Sequence, residues 1–142
     1  MKSSRFTVGA VLLGLISTSA GASDTETFAA ADYRLQCEGC HLASGEGGAD
    51  IPTLHGVGAL LGRPGGREYL ARVPGVVNAS VDDARLAALL NWVLERWSAS
   101  VLPEEFQPYR AEEVDRWRSP LADPGRARAR LTRTEEPDPA AR

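Results

Sequence analysis

Apolar residues recur every three or four positions over residues 81–97, which is the spacing of one face of a helix. Ser80 stands just before this stretch, and the acidic side chains at positions 82 and 83 suit the first turn of a helix. The pattern therefore predicts a long amphipathic helix with Ser80 as its cap. Its apolar face is predicted to hold Leu86, Leu89, Leu90, Val93, Leu94 and Trp97, with Trp92 widening it.

Shorter helices are predicted on the N-terminal side of this one. Residues 25–36 carry a mixed apolar surface and follow Asp24, a residue type that suits an N-cap. Residues 67–73 can form a short helix that ends at a Pro-Gly pair, and residues 76–80 should then be extended. Residues 42–50 hold three glycines and predict a loop whose backbone can pass close to neighbouring groups. These elements together indicate a small all-α domain.

The first residues of the chain have the pattern of an export signal. Lys2 and Arg5 precede a short apolar run at residues 8–16, and an A-x-A cleavage site ends at Ala22. The run is shorter than the roughly 20 residues that a membrane-spanning helix needs. We therefore expect residues 1–22 to be a cleaved signal peptide and the mature chain to lie in the periplasm without a membrane anchor.

Length and charge narrow the class of protein further. The 142 residues suit a single domain, and 16 basic against 19 acidic side chains give a formal net charge of −3. Lys2 is the only lysine, so no lysine-rich docking face is possible in the mature chain. A nucleic-acid partner is not expected, since the chain has neither a net basic charge nor a basic stripe.

The chemistry of the chain is concentrated in one C-x-x-C-H motif, formed by Cys37, Cys40 and His41. Two thiols three positions apart on a helical turn can each form a thioether with one vinyl group of a haem, and the histidine can then bind the iron. The motif uses both cysteines of the chain and one of its two histidines.

Other interpretations of the motif are weaker than haem attachment. A thioredoxin-like redox pair would need a neighbouring βαβ pattern, and none flanks the motif. A zinc site could use Cys37, Cys40, His41 and His55, but adjacent Cys40 and His41 would strain one tetrahedron. A chance match is rare in a chain with two cysteines. Haem attachment is the interpretation that we favour.

The order of these parts resembles that of the class I monohaem c-type cytochromes over residues 25–97. A helix leads into C-x-x-C-H, a glycine loop and Ile-Pro-Thr-Leu at residues 51–54 follow, and a long helix closes the match. The resemblance implies an all-α cytochrome c-type fold wrapped around one covalent haem c. It assigns attachment to Cys37 and Cys40, and proximal iron ligation to His41.

The resemblance also suggests what surrounds the proximal histidine. Pro52 and Leu54 match the proline and leucine that family members have on the proximal side. The Pro52 carbonyl can accept a hydrogen bond from the second ring nitrogen of His41, and such bonds fix a ligand's orientation. The first and last helices of the family pack together, and the matching residues here are Ala29, Tyr33, Leu89 and Trp92.

We divide the chain into four parts on this basis. The signal peptide is followed by a cytochrome c domain at residues 23–100 and a strap with a short helix at residues 101–118. Residues 119–142 form a charged tail, which we expect to be partly helical over residues 121–131 and disordered from residue 132. The strap either covers the core or serves as a docking surface.

The implied function is one-electron transfer between redox partner proteins, such as a periplasmic dehydrogenase and a terminal oxidase or reductase. We expect a carrier and not an enzyme, because no nucleophile–base pair accompanies the motif. The rival function is a haem-based binder or sensor of nitric oxide, carbon monoxide or oxygen, and a weak peroxidase-type or other redox enzyme activity is the third alternative.

One departure from the family makes this rival worth keeping. Family members usually supply a methionine before the last helix as the sixth iron ligand, whereas Met1 is the only methionine of this chain. Three alternatives remain: an open distal site, Asn78 through its amide, or His55. An exposed His55 and an Asn78 in a turn are the simpler interpretations. Since Met/His ligation raises the reduction potential, we expect a lower potential here.

Overall fold

The structure, a computed structural model, describes residues 22–133 and their side chains from residue 28 onward. Most of the predicted signal peptide and residues 134–142 of the predicted disordered tail lie outside this part of the chain. The described part is helical and contains no strand, which confirms the all-α prediction. Its α-helices are α1 (Ala22–Gln36), α2 (Glu38–His41), α3 (Gly66–Arg72), α4 (Pro74–Val77), α5 (Asp83–Ser98), α6 (Ala111–Trp117) and α7 (Pro124–Thr132).

The predicted long helix is α5, and it forms the centre of the core. Its periodic apolar residues are buried and pack against α1, α6 and the 3₁₀ helix Val57–Gly62. Ala29 and Tyr33 of α1 are buried on the side that faces α5. The contact between α1 and α5 lies next to the C-x-x-C-H motif, because α1 ends at Gln36, directly before Cys37. The most deeply buried apolar side chains of α5 are Leu86, Leu89 and Leu94.

The predicted cap of α5 is wrong. The N-cap is Asp82, whose side chain accepts a hydrogen bond from the Arg85 amide at 2.8 Å. Ser80 lies two residues earlier, and its own amide donates to the side chain of Gln36 at 2.9 Å. The carboxylate of Asp82 thus occupies the capping position that the sequence assigns to Ser80.

Two other local predictions are corrected. Helix α1 already includes Ala22, so Asp24 lies inside the helix and is not its N-cap. Residues 76 and 77, predicted to be extended, belong to the single turn α4, because Pro74 has the fixed φ that suits the first turn of a helix.

The C-terminal extension folds back onto the helical domain. Val114 of α6 is fully buried, and the Asn91 side chain of α5 both donates to and accepts from the backbone of Tyr109. Arg67 of α3 binds Glu113 at 2.8 Å and lies over the Tyr109 ring at 4.2 Å. Helix α7 packs against α3. Among the helices of residues 22–133, none is both long and apolar enough to cross a membrane.

Candidate functional site

The C-x-x-C-H motif forms one helical turn directly after α1. The amides of Cys40 and His41 both donate to the Cys37 carbonyl, at 3.1 and 2.9 Å, and the Cys37 amide donates to the Tyr33 carbonyl at 2.9 Å. The turn therefore continues from the buried part of α1, with the two thiols and the imidazole carried within five residues. This is the arrangement that the spacing predicts.

His41 is the half-buried histidine of this turn. Its Nδ1 is buried and makes no hydrogen bond among the described residues. Burial lowers the pKa of the ring, and the nearby Pro52 carbonyl opposes this by raising it. The ring is thus held in its neutral form, which is the form that binds a metal. The Pro52 carbonyl lies near the His41 ring, but the buried Nδ1 of the ring does not complete a hydrogen bond.

Both thiols are free, with Cys37 half-buried and Cys40 exposed. Burial raises the pKa of Cys37 to about 11, with further contributions from Cys40 and Asp32. The Cys37 thiol is therefore neutral at neutral pH and a weak nucleophile for disulfide exchange. Within residues 22–133, no three cysteine, histidine or carboxylate side chains come together as a metal site, so the zinc alternative lacks its ligand set.

Backbone hydrogen bonds and close contacts hold the loop that follows His41. Gly47 donates to the His41 carbonyl at 3.1 Å, and a Cβ on Gly47 would stand 2.3 Å from the Ile51 carbonyl oxygen. A Cβ on Gly45 would stand 2.7 Å from the Trp97 ring. Gly45 and Gly47 thus permit a close approach between the loop and other parts of the chain.

Leu42 is a residue of this site that sequence reasoning missed. It follows His41 directly and has φ 60° and ψ 165°, a conformation that residues other than glycine rarely adopt. Its amide donates to the Glu38 carbonyl at 2.8 Å, and its own carbonyl accepts from the Tyr33 hydroxyl at 2.5 Å. Two anchors therefore hold the strained residue that turns the chain away from His41. A leucine gives no signal of such a turn.

Three aromatic rings pack behind the motif. Tyr33 lies 5.4 Å from Trp92 and 4.7 Å from Trp97, and the two tryptophans are 5.3 Å apart in an edge-on arrangement. This confirms the predicted contact of Tyr33 with Trp92, while the sequence predicts Trp97 only as an apolar residue. Leu54 packs against this core, and its carbonyl accepts from the Ser98 hydroxyl at 3.0 Å.

An ion pair between a buried carboxylate and an exposed arginine joins α1 to α5. Asp32 of α1 is 2% exposed, and its carboxylate accepts two hydrogen bonds from Arg85 of α5, at 2.5 and 3.1 Å. Sequence reasoning missed this pair. An aspartate among the apolar positions of α1 was the available signal, but its partner stands 53 positions later in the chain.

His55 lies on the same loop as Pro52 and is exposed. Its Nε2 donates to the Ser44 carbonyl at 2.8 Å, and its amide donates to the Thr53 hydroxyl at 3.1 Å. Both contacts hold His55 against its own loop. They favour the exposed interpretation of this residue over iron ligation.

Asn78 ends α4 as its C-cap and is exposed. Within the described residues its side-chain amide makes no hydrogen bond, while its backbone amide donates to the Pro74 carbonyl at 3.2 Å. Ser80, two residues later, is bonded to Gln36, the residue before Cys37. The structure thus brings the segment after Asn78 to the attachment turn, with an unengaged amide group on it.

The residues of this turn fit a covalent haem. Two free thiols lie on one turn, and the imidazole after them is neutral, half-buried and lacks a hydrogen bond at its buried nitrogen. The Pro52 carbonyl is also close to the His41 ring, and a carbonyl beside a metal-binding histidine fixes the orientation of its ring.

Comparison with known proteins gives two relatives of the same kind. The chain is 33% identical over 109 residues to cytochrome c-552 of Thermus thermophilus, in a match that spans 63% of this chain and 83% of that protein. It is also 33% identical over 109 residues to a second cytochrome c-552 from a strain of the same species, and this match spans 74% of that protein. No protein-family model matches the chain.

Proposed function

This chain belongs to the class I c-type cytochromes, which carry covalently bound haem c, and we propose that it is a one-electron carrier between redox proteins. We propose further that it works in the periplasm, which the pattern of an export signal at residues 1–22 supports. Its partners are expected to be proteins such as a periplasmic dehydrogenase and a terminal oxidase or reductase.

We assign the attachment of the haem to Cys37 and Cys40 and the proximal iron position to His41. The bound haem supplies an iron that changes its oxidation state by one electron. The protein's part is to hold the imidazole neutral and oriented, with Pro52 beside the ring and Leu54 packed against the core. We propose a carrier and not an enzyme, because membership of this family and the single motif account for the chemistry-bearing residues.

The observation that carries this proposal is the geometry of the Cys37–His41 turn. The amides of Cys40 and His41 both bond to the carbonyl of the first cysteine, so the thiols and the imidazole project from one rigid turn. The buried Nδ1 of His41 has no partner among the described residues. The Pro52 carbonyl lies close to the same ring, and such a neighbour fixes the orientation of a metal-binding histidine.

The test is covalent retention of haem by the full-length protein after export. We expect the wild type to keep its haem on a denaturing gel and to gain the mass of one haem. The double variant Cys37→Ala/Cys40→Ala should lose the covalent group, and His41→Ala should keep the group but change its spectrum. His55→Ala is the matched control and should keep a wild-type gel band. Haem that stays attached in the double cysteine variant would contradict the assignment.

A second candidate function is binding of a small ligand at the distal side of the iron. The observation that favours it is the lack of a methionine other than Met1, together with the exposed, unengaged amide of Asn78. Optical spectra with and without carbon monoxide separate the two functions. Low-spin spectra that do not respond to carbon monoxide favour electron transfer with a protein-supplied sixth ligand. High-spin spectra that shift with carbon monoxide favour ligand binding.

The same spectra test the two candidate sixth ligands. If the iron is low-spin in the wild type, Asn78→Ala should convert it to high-spin, whereas His55→Ala should leave it unchanged. The opposite result would assign the position to His55 in spite of its bond to Ser44.

A further inference from the structure

The segment of residues 73–80, between α3 and α5, has little regular secondary structure. Its single helical turn, α4, covers four residues, and such a short helix is not stable alone in water. Pro74, Gly75, Asn78 and Ser80 are exposed, while Val73 and Val76 are partly buried against the core. The position of this segment must therefore depend on contacts with other parts of the chain.

One such contact ties the segment to the attachment turn. The Ser80 amide donates to the Gln36 side chain at 2.9 Å, and Gln36 directly precedes Cys37. Residue 80 is thus within the reach of one side chain from the residue before the first thiol. A group attached at Cys37 has this segment as a close neighbour.

A second contact comes from the C-terminal extension. Arg118 follows α6, and its Nη1 donates to Asp83 in the first turn of α5 at 2.7 Å. Its Nη2 donates to the carbonyl of Ala79, a buried residue of the segment. The Arg118 side chain is 22% exposed, so this bond pair is partly shielded from water. One planar guanidinium therefore joins the end of the segment to the start of the helix that follows it.

The start of the segment is held by the same part of the extension. Arg72, the last residue of α3, donates from Nε to the Ser119 carbonyl at 3.0 Å. The same side chain is oriented by Glu68, one helical turn earlier, at 2.6 Å. Residues 118–119 thus bridge the two ends of the segment, at Arg72 on one side and at Ala79 and Asp83 on the other.

We propose that Arg118 is a positioning residue that keeps the segment of residues 73–80 closed beside the haem and so restricts the access of small ligands to the iron. This inference rests on the proposed attachment of haem at Cys37 and Cys40. If Arg118 only held the C-terminal extension against the domain, replacing it would change the stability of the protein and nothing else. A side chain that controls the segment also changes how often it opens, and ligand affinity follows the population of the open form.

The test uses the full-length, haem-loaded protein and compares Arg118→Gln with Arg116→Gln. Arg116 is an exposed arginine in the last turn of α6, and it forms no salt bridge within the described residues. The probe is imidazole, titrated into the oxidised protein at 25 °C and followed optically. We expect Arg118→Gln to bind imidazole about tenfold more tightly, which is what the loss of one hydrogen bond to a charged group gives. Arg116→Gln should bind as the wild type does.

A second readout does not depend on the haem. Amide hydrogen exchange of residues 78–82 should accelerate in Arg118→Gln and stay unchanged in Arg116→Gln. If Arg118→Gln does not fold, Asp83→Asn removes only the ion pair and should give a smaller increase in both readouts. Arg118→Gln with a lowered melting temperature but wild-type imidazole affinity and exchange would overturn the inference.

Failure of this inference can be told apart from failure of the proposed function. If the wild type carries no covalent haem, the proposed function fails, whereas the exchange rates still report whether Arg118 holds the segment. If the haem is attached and imidazole binding does not change, the role of Arg118 in access fails and the carrier function stands.

Discussion

Replacing Gly47 with alanine should destabilise the loop that brings Pro52 to His41. Gly47 has φ +79°, and a Cβ there would stand 2.3 Å from the Ile51 carbonyl oxygen and 2.9 Å from that of Pro52. Both obstructing atoms belong to the backbone, so they cannot turn away as a flexible side chain could. The Gly47 amide also donates to the His41 carbonyl at 3.1 Å, which ties the strained position to the proposed iron ligand.

The expected loss of stability has two parts. A left-handed backbone conformation costs a residue with a Cβ roughly 1–2 kcal/mol. Forcing an extra carbon into a closed space typically costs about 1–3 kcal/mol more. We therefore expect Gly47→Ala to lower the free energy of unfolding by about 3 kcal/mol. For a domain of this size that lowers the melting temperature by about 10 °C.

The neighbouring Gly48 provides a matched control. An alanine Cβ there meets nothing within 4 Å, and Gly48 is not among the glycines with positive φ. Gly48→Ala should therefore stabilise the protein by about 0.5 kcal/mol, because it restricts the unfolded chain. The assay is urea unfolding followed by far-ultraviolet circular dichroism. A loss below about 1 kcal/mol for Gly47→Ala would refute the close approach that we describe.

Three further predictions concern acid stability, backbone strain and redox potential. The hydrogen bond from Arg67 lowers the pKa of Glu113 below its ordinary value of 4.5. The stability that this carboxylate contributes is therefore complete above pH 4.5 and is lost as the pH falls through the lowered pKa. Unfolding free energies measured against pH should thus fall less steeply below pH 4.5 for Glu113→Gln than for the wild type and for the control Glu112→Gln, and parallel curves would contradict this. Leu42→Gly should raise the unfolding free energy by up to about 1 kcal/mol, because it removes backbone strain. The control Leu35→Gly, at an exposed position in α1, should lower the unfolding free energy by about 1 kcal/mol. A loss of stability in both variants would count against strain at Leu42. The midpoint potential, measured by optical titration, should lie below that of a cytochrome with His/Met ligation, and a potential in the His/Met range would show that the missing thioether does not matter.

The features that the sequence predicts correctly are local ones. The spacing of apolar residues over α5 and the helical turn of the C-x-x-C-H motif depend on neighbours along the chain, so the printed residues determine them. Resemblance to the family predicts the clasp of Tyr33 with Trp92, and the structure places the two rings 5.4 Å apart.

The features that the sequence does not reveal depend on distant partners. The Ser80 amide is bonded to the Gln36 side chain, 44 positions away, and the cap of α5 is Asp82. The Asp32–Arg85 pair joins residues 53 positions apart, and the bond of Arg118 to Ala79 spans 39. The spacing of residues along the chain does not indicate which distant residues will pair. The sixth iron ligand also depends on a contact between distant parts of the chain, and it stays a prediction.

The most direct test of the carrier function is a potentiometric titration of the purified full-length protein, followed by its visible spectrum. We predict a covalent haem that survives denaturation and that is reduced and reoxidised reversibly in a single one-electron step. Loss of the haem on denaturation, or a protein whose haem cannot be cycled reversibly between its two oxidation states, would contradict the account.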